Sequence, residues 1–101
     1  MPKRLWRRIM EREEKVLKAL ANKKRLSILE MLKSSSHGIS VKEIAKKIKL
    51  SQPSTSKHLS KLEVVNLIKK NRKGMYIISY VPIQIWKILG LIKDMFYRKR
   101  K

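Results

Sequence analysis

The chain has 101 residues, enough for one domain with its own core and too few for two. Its 27 Lys and Arg against 7 Asp and Glu leave a net charge of +20, an excess that asks for an anionic partner. The apolar share of 43% is too high for a charged linker or tail, and the absence of Cys excludes disulfides, thiolate metal sites and cysteine nucleophiles and fits a reducing compartment.

In chain order, the opening MPKRLWRRIMEREEK has no apolar stretch of the kind a secretory signal needs, and no run of about 18 apolar residues could cross a bilayer. The expectation is a cytoplasmic protein that meets a membrane at most from its surface. Leu5, Trp6, Ile9, Met10, Val16, Leu17 and Leu20 recur at helical spacing behind Pro2 and predict a first helix, α1, over 3–20. Asn22 is placed to cap a second, α2, over 23–33, whose stripe of Leu26, Ile28, Leu29, Met31 and Leu32 stops at the loop SSSHG. Gly38 and Ile39 read as a short extended piece. Ser40 with Glu43 makes a capping box for α3, over 41–48, and Ser51 with Pro53 in the first turn opens α4, over 52–66.

Past Leu67 the apolar period falls from 3.6 to 2: Ile68, a basic run to Gly74, then MYIISYV predict a hairpin with a cationic tip. Pro82 ends it, and Ile83 through Phe96 resume helical spacing as α5, over 83–98, before a basic tail at 98–101. The order is helix, helix, short strand, helix, helix, hairpin, helix. A mainly α fold with a small β-hairpin and a tight α3–α4 turn is the winged helix-turn-helix arrangement, filling the whole of 1–101 as one domain.

The charge is unevenly spread. Residues 51–66 carry only +1 and are the richest in Ser, Thr and Gln, while 67–81 carry +4. Cations that hold phosphates on either side of a neutral, hydrogen-bonding helix are the division of labour between positioning on DNA and reading its bases. On α4 the core-facing set is Thr55, Leu59 and Leu62. That turns Gln52, Ser54, Ser56, Lys57, Ser60 and Lys61 outward, where Gln can read adenine, Lys guanine, and Ser either. Ser51 reads as a cap only. His58 neighbours the buried Leu59 and reads as a partly buried, hydrogen-bonded helix residue, and His37 as a solvated loop residue. Lys69, Lys70, Arg72 and Lys73 surround the hairpin tip and are placed for phosphates or the minor groove.

LKALANKKRLSILEMLK at 17–33, LSQPSTSKHLSKL at 50–62 and the strand after Gly74 resemble the ArsR (arsenical-repressor) family of winged-helix transcriptional regulators. The second stretch is the most specific, and the resemblance spans about 17–82. It implies a homodimer through α1 and α5, with α4 of each subunit in a DNA major groove, regulating transcription and most simply repressing it. The residues point the same way: α1 and α5 carry more apolar surface than a domain of this size can hide, so Leu5, Trp6, Ile9, Ile85, Trp86, Leu89, Ile92 and Phe96 are expected at the interface. The alternative is that both Trp residues fill the monomer core.

Where the family's metal sensors carry a Cys-x-Cys pair in α3, this chain has Ser40 and Lys42, and α5 holds one acid, Asp94, and no His. No metal, no cofactor and no metal response are expected. No nucleophile with a base, paired carboxylates or phosphate-binding Gly loop supports an enzyme. Two other readings stay open: a nucleoid protein that coats DNA without sequence preference, and a basic amphipathic α5 lying on a membrane surface.

Overall fold

A computed structural model describes residues 3–98; the side chains of Trp6, Ile9, Phe96, Tyr97 and Arg98 lie outside the described residues, as does the basic tail from 99 on. The helices are α1 (Lys3–Leu20), α2 (Lys23–Lys33), α3 (Val41–Ile48), α4 (Gln52–Val64) and α5 (Ile83–Arg98), with strands β1 (Ile68–Lys70) and β2 (Tyr76–Ile78) between the last two.

Three of these helices begin where a side chain replaces the missing backbone acceptor of a first turn. Asn22 Oδ1 accepts from Arg25 N at 3.1 Å, Ser40 Oγ from Glu43 N at 3.2 Å and Ser51 Oγ from Ser54 N at 3.2 Å. The tight turn between α3 and α4 depends on Lys49 taking a left-handed conformation (φ 59°), which lets Leu50 N donate back to the Ala45 carbonyl at 3.1 Å.

The fourth helix is shorter than its expected 52–66. Val65 caps it and Asn66 turns left-handed (φ 62°), so that Leu67 N reaches the Leu62 carbonyl and Asn66 N the Glu63 carbonyl. This paired closure ends a helix with Asn in the position Gly usually takes. The expected extended run of MYIISYV is also shorter as a strand: Tyr76, Ile77 and Ile78 pair in register with Lys70, Lys69 and Ile68, and beyond them Ser79 N makes a single bond to the Leu67 carbonyl. The piece at Ile39 exchanges two hydrogen bonds with Tyr76 and forms a single bridge. Gly38 is needed beside it: its φ is 93°, and a Cβ there would come 2.8 Å from Ile77 Cγ2.

One core joins these elements. Ile28, Leu29 and Leu32 of α2 meet Ile44 and Ile48 of α3, Leu59 and Leu62 of α4, and Leu67, Ile68 and Tyr76 at the hairpin, with Ala19 and Leu20 closing it from α1. Among the described side chains of α5, Ile85 and Trp86 are the ones that pack against it. The radius of gyration is 15.3 Å, above the about 13 Å of a compact chain this long.

Candidate nucleic-acid interface

Burial on α4 follows the helical period. Thr55, Leu59 and Leu62 are fully buried, and the Thr55 hydroxyl is satisfied by the Ser51 carbonyl at 2.8 Å. Gln52, Ser54, Ser56, Lys57, Ser60 and Lys61 are all exposed on the same helix. The Ser51 hydroxyl donates to Ser54 Oγ at 3.0 Å, so Ser51 serves the cap while Ser54 retains its own proton to donate outward. Lys42, Lys46, Lys47 and Lys49 of the preceding helix and turn are exposed as well, one of them held near Glu43 by a Lys47 contact of 3.7 Å.

The hairpin presents a second group of cations. Lys69, Lys70, Arg72 and Lys73 are exposed. Asn71 organises the tip: its Oδ1 accepts from Lys73 N at 2.9 Å and Met75 N at 3.1 Å, its own N–H donates to the Met75 carbonyl, and Gly74 supplies the left-handed residue (φ 77°). The Asn71 amide also reaches the His37 carbonyl at 3.4 Å, tying the tip to the loop before α3. Lys70 Nζ sits 5.4 Å from the centre of the Tyr76 ring, which restrains one of the four cations.

Behind α4 lies an arrangement that no sequence period announces. Arg25 is 7% exposed, and its guanidinium spans three helices. Nε donates to the Ala19 carbonyl at 2.7 Å and Nη2 to the Lys18 carbonyl at 3.0 Å, both in the last turn of α1, where a cation suits the helix dipole. Nη1 lies 3.1 Å from His58 Nδ1 on α4. The His58 pKa is held below its ordinary value by burial first, then by the cations Arg25, Lys61 and Lys24. Lys24 itself donates to the Ile48 carbonyl at 2.8 Å and closes the end of α3. Neither Arg25 nor Lys24 belongs to the cap or the apolar stripe by which the sequence marks α2.

Of the expected interface residues, Leu5 is 47% and Ile92 44% exposed, whereas Ile85, Trp86 and Leu89 are half-buried. Lys33 Nζ lies 4.5 Å over the Trp86 ring, and Lys93 approaches Glu30 at 3.6 Å, so α5 leans on α2. The Trp6, Ile9 and Phe96 side chains lie outside the described residues. Ile83, Ile88, Leu91 and Met95 are more than half exposed. Among the described residues no helix is long and apolar enough to cross a membrane.

A family described as a helix-turn-helix domain matches residues 20–71. Nodulation protein NolR of Rhizobium meliloti is 40% identical over 81 residues, which are 79% of this chain and 65% of that protein. The chain thus spans just under two thirds of that relative's length. The crystal structure of NolR from Sinorhizobium fredii superposes with a TM-score of 0.74 at 32% identity, covering 95% of this chain and 94% of the other. A winged helix-turn-helix DNA-binding domain of Mycobacterium bovis, Mb0332, shares the fold with a TM-score of 0.75 at 24% identity, over 98% and 90% of the two chains.

Proposed function

The chain belongs to the helix-turn-helix family, among its ArsR-type winged-helix regulators, and from that premise we propose that it is a sequence-specific double-stranded DNA-binding regulator of transcription, most simply a repressor, acting as a homodimer. One observation carries the reading: a helix whose inner face is fully buried turns Gln52, Ser54, Ser56 and Lys57 outward, between two groups of exposed cations. The buried face fixes the helix, and the polar face is free to meet base edges in a major groove. Lys69, Lys70, Arg72 and Lys73 then lie along phosphates or in the minor groove, with Ser60 and Lys61 at the far end of the recognition helix.

The homodimer reading rests on apolar surface. Leu5 of α1 and Ile92 of α5 are exposed, and Trp86 and Leu89 of α5 half-buried, which supports their meeting a second copy. A response to metal finds no support in the donor set, since Ser40 Oγ is committed to capping α3 and Lys42 is a cation. We assign the protein to the cytoplasm and the nucleoid on the same reading. The net charge of +20 favours a second reading, DNA coating without sequence preference. Selection of bound fragments from genomic DNA, followed by affinities for a selected and a scrambled duplex at one salt concentration, separates the two. A regulator prefers the selected duplex by about a thousandfold or more, and a coating protein does not.

A further inference from the structure

Among the described residues Arg25 is the only buried charged side chain, and no carboxylate accompanies it. Its charge is spread over two carbonyls of α1 and one imidazole nitrogen of α4. A guanidinium can only donate, so His58 Nδ1 has to accept, which places the imidazole proton on Nε2. We propose that Arg25 and His58 form a joint that fixes the recognition helix against α1, and that the joint holds only while His58 is neutral, which makes DNA binding sensitive to acid. The proposal rests on the reading of α4 as the helix that meets DNA.

Protonation removes the acceptor that Arg25 uses. A proton on Nδ1 would face the Arg25 Nη1 donor at 3.1 Å, replacing a hydrogen bond by two opposed cations. The charged groups that act on the ring are Arg25 and Lys24 from α2 and Lys61 from its own helix, all of one sign. No charged group of α1 is among those that act on the ring, and Arg25 already donates to the Lys18 and Ala19 carbonyls of that helix. Relief comes when the ring swings toward solvent, and α4 then loses its tie to Arg25 and is freer to move against α1 and α2. Because α1 also carries the proposed dimer surface, such a movement alters how two recognition helices are spaced, and half-site geometry tolerates little of that.

The sign of the effect separates this joint from simple charge. An extra proton on a helix facing phosphates should tighten DNA binding through electrostatics alone. A broken joint should weaken it. His58 favours its neutral form in the folded protein, so its contribution is complete above its ordinary value of 6.5 and is lost as pH falls from there through the lowered folded value.

The test follows the full chain by fluorescence anisotropy on a selected duplex at fixed ionic strength, from about pH 8 to about pH 5, a window that brackets an imidazole. Wild type is expected to lose about tenfold in affinity on acidification, the effect of one hydrogen bond to a charged group. His58→Asn, whose Oδ1 can accept from Arg25 without titrating, should keep the high-pH affinity and lose the acid sensitivity; His37 is common to both proteins and cancels. His58→Phe, with no acceptor, should bind weakly at every pH while circular dichroism shows its helices intact. Affinity that is flat or rises with acid in wild type, or an equal loss in His58→Asn, overturns the joint. Failure of wild type at pH 8 to prefer the selected duplex would instead overturn the DNA reading. In that event thermal unfolding decides the joint: it should be acid-sensitive in wild type and less so in His58→Asn, and identical profiles overturn it.

Discussion

The middle of the chain and its two ends spend their apolar residues differently. In α2, α3 and α4 the large side chains Ile28, Leu29, Ile44, Leu59 and Leu62 are all fully buried. In α5, the most apolar helix of the protein, Ile83, Ile88, Leu91 and Met95 remain more than half exposed, as do Met10 and Leu17 of α1. The centre completes its own core and, Val64 apart, turns mainly polar groups outward. The ends retain apolar surface that water disfavours, which is the usual condition of a chain awaiting a partner. Folding and the proposed assembly thus draw on largely separate surfaces, and a substitution in one should leave the other readable.

The largest expected effect belongs to the centre. Leu59→Ala removes a fully buried side chain at the junction of α4 with the rest of the core. It should cost about 2 to 5 kcal/mol of stability in denaturant unfolding. A cost near that of an exposed substitution would mean that the centre is not closed as described. At the ends the expected loss is of mass rather than of fold. Trp86→Glu with Leu89→Glu should give monomers in sedimentation and weaker DNA binding, with helical content retained, since both residues are only half-buried. An unchanged mass would remove α5 from the interface.

The same contrast explains what could be read from the sequence. Helices α1, α2, α3 and α5 have the bounds that caps and period predict, because Asn22, Ser40 and Pro82 act within one turn of themselves. The end of α4 was less legible. Asn66 looks like a continuing polar residue until Leu67 is seen to fold back on Leu62. Arg25 was not legible at all: between Lys23, Lys24 and Leu26 nothing local distinguishes a guanidinium that spans three helices from one in solvent. Its role depends on carbonyls six and seven residues before it and a ring 33 residues after it, which only the folded chain brings together. Asn71 lay within a legible turn, yet its grip on Lys73, Met75 and the His37 carbonyl was not. The outward set on α4 was legible because a two-faced helix has only one solvent side to offer.

Smaller effects should sharpen the contrast within the proposed DNA surface. Gln52 and Lys57 are exposed on a helix anchored from below, so truncating either should leave stability nearly unchanged. If they read bases, Gln52→Ala and Lys57→Ala should each cost about 1 to 3 kcal/mol on the selected duplex and little on scrambled DNA, measured by competition at one salt concentration. An equal loss on both duplexes would favour coating.

The smallest effect on affinity is expected at the hairpin, and there the salt dependence is the informative quantity. Arg72 and Lys73 sit at a tip whose shape is set by Asn71 and Gly74 and whose side chains are solvated, so neither replacement should alter the fold. A cation on a phosphate displaces condensed counterions whatever the sequence beneath it. Arg72→Ala or Lys73→Ala should therefore weaken selected and scrambled duplexes alike and lower the slope of log affinity against log salt by about 1 for each phosphate no longer neutralised. Lys70 is a useful contrast because its ammonium already rests near the Tyr76 ring. Lys70→Ala should change the slope less than Arg72→Ala if the ammonium stays on that ring when DNA binds. Should the tip variants alter preference between duplexes while leaving the slope intact, the hairpin would be reading the minor groove rather than holding phosphates, and recognition would be shared between α4 and the wing.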